Sequence, residues 1–391
     1  MRARRYQLKK EALGVVERGH PWIFRDQLSS AAQVFADGDW LRLVDGANKV
    51  VGFGIYEAEG AIAIRVVRRG AASPDAAWLR RQLTTALARR LEASEAAPAL
   101  ATRTDGLRLV HGESDGIPAV VVDRFGDTLV VQSYAKGADA LARFAATAIA
   151  RELAIPNVLL RPAHRRRAPA APARVLRGTP PDIARFTEDG LPFAADLAGG
   201  QKSGTYLDLR GLRRAIATMP LAGARVLNLF AYSGMLGRAA EAAGAASITQ
   251  VDASERALAF AAAHHVTDHA RHRFVTADVF EWLPALAADE LFDLVIVDPP
   301  SMTSNKQQVP AVLAGYRKLY RAAAPHVRAG GRLVAACCTS RVERVQFEKT
   351  VAEALGKEFV RELSIPPEID HPVAKGMPQA DYLKILIWRR A

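Results

Sequence analysis

The chain has 391 residues, half of them hydrophobic, with 53 Lys plus Arg against 41 Asp plus Glu. This length exceeds one ordinary domain and suggests two or three, with ample material for a core. The formal charge of +12 favours a polyanionic partner, nucleic acid above all, although charge spread thinly for solubility explains it equally well. The only cysteines are the adjacent Cys337 and Cys338, which excludes a disulfide framework. No apolar run approaches a membrane span, and the basic residues 1–10 are not followed by an apolar signal core. A cytoplasmic protein with no membrane partner is expected.

Residues 1–70 read as a small β-rich unit. Segments 39–45 and 61–67 have strand composition and are separated by Gly46, Gly52, Gly54 and Gly60. After a break at Gly70-Ala-Ala-Ser-Pro74, the spacing of Leu79, Leu83, Leu87 and Leu91 predicts a helix over 78–94. Residues 71–190 form a central α/β unit. Its segments 119–123 and 128–132 are apolar strands joined by turn residues, hence a hairpin, and a helix follows over 138–153. The stretch 161–177 carries six arginines, three prolines and no acid, and is expected to be an exposed linker. From 191 to 391, strand-like and helix-like segments alternate, as in a doubly wound α/β sheet. Strands are expected at 225–229, 247–252, 273–276, 294–298 and 332–337, with 382–388 added at an edge.

The residues with chemical potential fall at the ends of these strands. Val226-Leu-Asn-Leu-Phe-Ala-Tyr-Ser-Gly234 runs from an apolar strand into a turn containing Asn228, Phe230, Tyr232, Ser233 and Gly234. It is not G-x-G-x-x-G and offers no pyrophosphate cradle. That suits a zwitterionic, phosphate-free nucleoside, and S-adenosylmethionine is the leading candidate. The next strand ends at Asp252-Ala253, where an acid would hold ribose hydroxyls. Asp278-Val279 follow the third. Asp298-Pro-Pro-Ser301 gives a carboxylate on a stiff edge without N–H donors, able to meet a planar base. Cys338, at the end of the last parallel strand, is placed for nucleophilic attack; Cys337 points to the opposite face and is expected in the core. The stretch Gln201-Lys-Ser-Gly-Thr-Tyr-Leu-Asp-Leu-Arg210, with Lys202, Ser203, Tyr206 and Asp208, is expected to cover the cofactor. His264, His265, His269 and His272 lack the partners of a metal site and read as a solvated helix face, so no metal is expected.

Several stretches, in order, resemble one family: Arg18-Gly-His-Pro-Trp-Ile-Phe24, Asp115-Gly-Ile-Pro-Ala-Val-Val-Val-Asp-Arg-Phe-Gly-Asp127, Gln201-Lys-Ser-Gly-Thr-Tyr-Leu-Asp208, Asn228-Leu-Phe-Ala-Tyr-Ser-Gly234, Asp298-Pro-Pro300, Asp370-His-Pro-Val373 and Tyr382-Leu-Lys384. Together they look like the bacterial large-subunit ribosomal RNA cytosine-C5 methyltransferases with an N-terminal PUA domain. The resemblance implies a PUA RNA-binding domain over 1–70, a central domain over 71–190 and a Rossmann-like methyltransferase over 191–391. It also implies 23S ribosomal RNA as partner, Cys338 as nucleophile, residues 230–234 on the methionine side, Asp252 at the ribose and Asp278 at the adenine. Ser301-Met302 follow Asp-Pro-Pro where family members usually carry Lys or Arg and then Phe.

The expected reaction is methylation of cytosine C5 through a covalent cysteine adduct, with Cys338 and Asp298 catalytic. Transfer to an exocyclic amino group, which needs no cysteine, keeps the fold and changes the chemistry. An RNA-binding assembly factor that only holds ligand is the alternative from a different class. A homodimer is compatible with the sequence.

Overall fold

In the computed structural model, residues 3–29, 32, 34–94, 97–162, 172–303, 305–374 and 376–391 are described. By backbone proximity the chain falls into two units. The first comprises 1–187, 195–207 and 369–380, and the second 188–194, 208–368 and 381–391.

The first unit holds two five-stranded sheets. One contains β1 (Arg4–Gln7), β2 (Trp22–Phe24), β3 (Trp40–Val44), β4 (Val50–Tyr56) and β5 (Ile62–Arg69), with helix α1 (Lys10–Glu17) after β1. Its order is β1-β3-β4-β5-β2. Alternating residues put Ile23, Leu41, Leu43 and Ile64 into a core with Tyr6, Val15 and Val16.

The second sheet contains β6 (Gly106–His111), β7 (Val120–Phe125), β8 (Thr128–Ser133), β9 (Asn157–Arg161) and β10 (Arg174–Arg177), in the order β10-β9-β8-β7-β6. The expected hairpin is β7 paired antiparallel to β8. Helix α2 (Ala76–Leu91) buries Leu79, Leu83 and Leu87, α3 (Asp139–Glu152) buries Ile149, and both cover one face of the sheet. Ile55 of β4 and Val67 of β5 join that same core. Part of the expected linker is a strand: Arg174–Arg177 pairs with β9 at the sheet edge. Residues 163–171 lie outside the described residues.

The other face of this sheet sets a buried polar network beside apolar residues such as Phe125 and Val130. Arg108 forks onto Asp123 at 2.8 and 3.0 Å, and Ser203 Oγ donates to the same carboxylate. Arg161 donates to Leu197 O at 2.7 Å and to Lys202 O. Fully buried Asp123 is thereby matched by donors, as a carboxylate out of water must be.

The ribbon of β11 (Ile183–Glu188) and β12 (Leu191–Asp196) precedes helix α4 (Arg210–Ala217). The second unit is then built by β13 (Arg225–Leu229), α5 (Met235–Ala242), β14 (Ser247–Asp252), α6 (Glu255–His264), β15 (His272–Thr276), α7 (Val279–Trp282), β16 (Phe292–Val297), α8 (Val309–Ala323), β17 (Val327–Cys337), α9 (Arg344–Leu355), β18 (Phe359–Ile365) and β19 (Lys384–Arg390). The sheet order is β15-β14-β13-β16-β17-β19-β18. Pairings from β15 to β17 are parallel; β19 is antiparallel to both of its neighbours. The last strand is therefore interior, and β18 forms the edge. Ile385, Leu386, Ile387 and Trp388 are all buried, as suits a strand covered on both faces. Strand order reverses at β13, where successive crossovers go to β14 on one side and β16 on the other. Such a switch point opens a crevice at the carboxyl ends of the strands.

Candidate functional site

Five strands of the second unit end on this side of the sheet, and each leads into a residue singled out from the sequence. After β13 the backbone turns through two left-handed non-glycine residues, Phe230 (φ 59°) and Tyr232 (φ 47°), and then Gly234 (φ 73°). Left-handed backbone costs about 1–2 kcal/mol per non-glycine residue, so the turn needs outside support. Asp252, at the end of β14, provides it: one carboxylate oxygen accepts Tyr232 N at 2.8 Å and the other Ser254 N at 2.9 Å. Charge-assisted bonds of this kind are worth roughly 1.5–3 kcal/mol each, enough to hold the turn. A Cβ on Gly234 would lie 2.7 Å from Ala261 Cβ and 2.9 Å from Gln250 Oε1, so glycine is required there on both counts.

The turn is also held from below. His265 is buried; its Nδ1 faces Ser233 O, and its Nε2 accepts Ala194 N at 2.9 Å. Those partners select the Nδ1–H tautomer, with Nδ1 donating to the carbonyl. Burial pushes its pKa down to about 4, against smaller opposing effects of the Ser233 and Ala194 bonds. His272, on β15, approaches Gln250 Nε2 at 3.0 Å, and Gln250 Oε1 accepts Asn228 Nδ2 at 3.2 Å. The expectation of a solvated histidine face therefore fails for His265 and His272, which are interior supports. Among the described residues, no group of acids, histidines and cysteines could hold a metal ion.

Asp278 is exposed and caps α7, accepting Phe280 N at 2.9 Å. Val279 behind it is buried, Ala253 next to Asp252 is exposed, and the Phe280 ring meets that of Phe230 at 5.5 Å. Asp298 directly follows β16, and Cys338 directly follows β17. Cys338 Sγ faces Pro299 O at 3.6 Å, and Met302 N donates to Thr339 Oγ1 at 3.3 Å. Two contacts thus join the cysteine turn to the Asp298-Pro-Pro edge. Cys337 has no exposed surface and belongs to the core with Tyr316, Phe347 and Leu386, whereas Cys338 is partly exposed.

Of the stretch expected over the cofactor, Lys202, Ser203 and Tyr206 lie in the first unit and Asp208 in the second. Lys202 Nζ stands 4.0 Å over the Tyr206 ring, whose hydroxyl donates to Gln201 Oε1 at 2.6 Å. Asp208 accepts the Tyr382 hydroxyl at 2.6 Å. Sequence reasoning missed the supporting roles of His265 and Gln250. Their polarity inside otherwise apolar segments was the available signal.

The family model for S-adenosylmethionine-dependent methyltransferases matches residues 130–389, and that for PUA-like domains matches residues 7–69. A ribosomal RNA large subunit methyltransferase of Deinococcus radiodurans is 33% identical over 97% of this chain and 96% of its own. Ribosomal RNA large subunit methyltransferase I of Serratia proteamaculans is 31% identical, over 94% of each chain. The chain belongs to this methyltransferase family. A solved structure described as an S-adenosylmethionine-dependent methyltransferase from Streptococcus mutans shares the fold, with a TM-score of 0.82, 21% identity, and 99% of this chain and 100% of that one covered. Another, of a methyltransferase complexed with SAH, has a TM-score of 0.83 at 21% identity over the same shares.

The residues of this S-adenosylmethionine-dependent methyltransferase fit its cofactor. The turn 230–234 is crowded where a side chain on Gly234 would stand. Asp252 spends one lone pair on the turn, at Tyr232 N, and one on Ser254 N, and a carboxylate retains others for hydroxyl donors. Half-exposed aromatic surface flanks the turn at Phe280 (44%). Among the described residues, no helix is long and apolar enough to cross a membrane.

Proposed function

We propose that the protein methylates C5 of a cytosine in large-subunit ribosomal RNA, through a covalent bond from Cys338. Relatives named for ribosomal RNA large subunit methylation, matched along nearly the whole chain, support the substrate class. One observation carries the chemistry: the partly exposed Cys338 thiol faces Pro299 O at 3.6 Å on the Asp298-Pro-Pro edge, beyond the strand ends. Methyl transfer to an exocyclic amine needs no thiol at that position.

Residues 230–234, Asp252 and Asp278 would hold the cofactor, which would supply an electrophilic methyl group. Cytosine C5 is too weak a nucleophile to accept it unaided. The Cys338 thiolate adds to C6, forming the S–C6 bond and moving the C5–C6 π pair toward C5. Asp298, as a carboxylic acid, donates a hydrogen bond to N3 while electron density accumulates there, and retains its proton when that density returns through C5. Once C5 has taken the methyl group, with the donor sulfur keeping the electron pair as a neutral thioether, a base removes the C5 proton. Those electrons restore C5=C6 and expel the thiolate. The target must leave its stack to reach the crevice, and a single-stranded loop makes this least costly.

Nucleoside mass spectrometry of ribosomal RNA treated with the protein and labelled cofactor tests the reading. Labelled 5-methylcytidine is expected. Label in N4-methylcytidine or a methylated purine contradicts it.

A further inference from the structure

Lys384 is 1% exposed, at the start of the interior strand β19, directly opposite Cys337 of β17. Its ammonium donates to Thr339 O at 3.0 Å and to Tyr382 O at 3.1 Å. Among the described residues it forms no ion pair with a carboxylate. Asp381, the nearby acid, is already bound by Arg344 at 2.8 Å. A buried ammonium with only carbonyl partners is costly. Something at this place must gain from its charge.

Cys337 pairs with Lys384 across the strands, Cys338 directly precedes the Thr339 whose carbonyl takes the ammonium, and the Tyr316 hydroxyl meets Thr339 Oγ1 at 3.2 Å from α8; Asp381 and Arg344 also act on the ammonium electrostatically. Burial holds the Tyr316 phenol neutral, so it supplies no negative charge. Burial also pushes the Lys384 pKa down, while Cys337, Asp381 and Cys338 oppose that shift. Cys337 is sealed in the core. Cys338 is therefore the thiol whose ionisation can be put to use.

We propose that Lys384 is a positioning residue for Cys338: it anchors the Thr339 turn that presents the thiol to the Asp298-Pro-Pro edge, and its charge favours the thiolate. The inference rests on Cys338 being the nucleophile. The two parts act on different observables, since anchoring sets where the sulfur points and charge sets the pH at which it ionises.

The test is the pH dependence of Cys338 alkylation by iodoacetamide, read by peptide mass spectrometry on the full-length protein without RNA or cofactor. An opposite charge at short range lowers an acid's pKa by about 1–3 units, so Lys384→Met should move the alkylation midpoint up by at least about one pH unit. Lys384→Arg should keep a midpoint near that of the wild type. Lys384→Gln retains a donor for Thr339 O without the charge. It should behave as Lys384→Met, and takes its place if the methionine variant does not fold. Methyl transfer by the neutral variants should lose kcat most at the acidic end, with cofactor affinity unchanged. Equal alkylation midpoints in wild type and the folded neutral variants overturn the proposal. Failure of the nucleophile assignment is a separate result, seen as methylation by Cys338→Ala.

Discussion

Cys337 is enclosed by Tyr316, Phe347 and Leu386, while Cys338 reaches Pro299 O across the crevice. Alternation along a strand made this difference readable in advance, because neighbouring residues point to opposite faces. Cys338→Ala is expected to abolish methylation with cofactor binding intact by calorimetry. Cys337→Ala is expected to stay active and to lose roughly 1 kcal/mol of stability from a small void, measurable by urea unfolding. Asp252 was also legible as the acid ending the second strand, but its second task was not. It holds the backbone of Tyr232 and Ser254, and pattern in the sequence gives no sign of side-chain-to-backbone bonds. Asp252→Ala should therefore weaken S-adenosylmethionine binding at least tenfold, since charge-assisted bonds are worth roughly 1.5–3 kcal/mol each. Asp252→Asn should lose less, because the amide oxygen can still accept Tyr232 N. Equal affinities across the three proteins in calorimetry would contradict the assignment.

The parallel strands β13, β14 and β16 were readable as apolar runs ending in Phe230, Asp252 and Asp298. The antiparallel end of the sheet was not. Segment 382–388 alternates and was expected at an edge, yet β18 covers its open side and Ile385, Leu386, Ile387 and Trp388 are all buried. Strand order depends on pairings that one segment's period cannot report. The helix α6 gave a second surprise at its carboxyl end, where His265 turns inward to hold Ser233 and Ala194. This has a consequence for pH. An unfolded histidine titrates near 6.5, whereas folded His265 does so only near 4. Between these values the unfolded chain binds more protons, so stability falls as pH drops from about 6.5 toward about 4. His111 of the first unit, also held neutral by burial, acts in the same direction. Denaturation by urea at a series of pH values should show this slope. It should be shallower in His265→Asn, which should also be less stable at pH 7. An unchanged slope would mean that His265 is not buried neutral.

Across the whole molecule, the formal charge of +12 bears first on RNA capture. The PUA-like region contributes Ile55 and Val67 to the core of the following sheet, and Trp22 Nε1 donates to Glu113 at 2.7 Å. Deleting residues 1–70 would open that core, so its part in RNA capture is better tested by point changes. A groove lined by Arg4, Arg5, Lys9 and the part-buried Phe35 offers cations beside one aromatic ring, a combination suited to single-stranded RNA. Arg5→Ala with Lys9→Ala should weaken RNA binding and lower the slope of log affinity against log salt by about one for each phosphate no longer neutralised. An unchanged slope would place capture elsewhere.

The most direct test of the account uses RNA carrying 5-fluorocytosine at the target position. Fluorine cannot leave C5 as a proton does, so the S–C6 bond should persist once the methyl group has arrived. Wild type and Cys337→Ala should each give a protein–RNA adduct that survives a denaturing gel, dependent on S-adenosylmethionine, and Cys338→Ala should give none. If wild type methylates the unmodified RNA but forms no adduct with the fluorinated one, the covalent route through Cys338 is wrong.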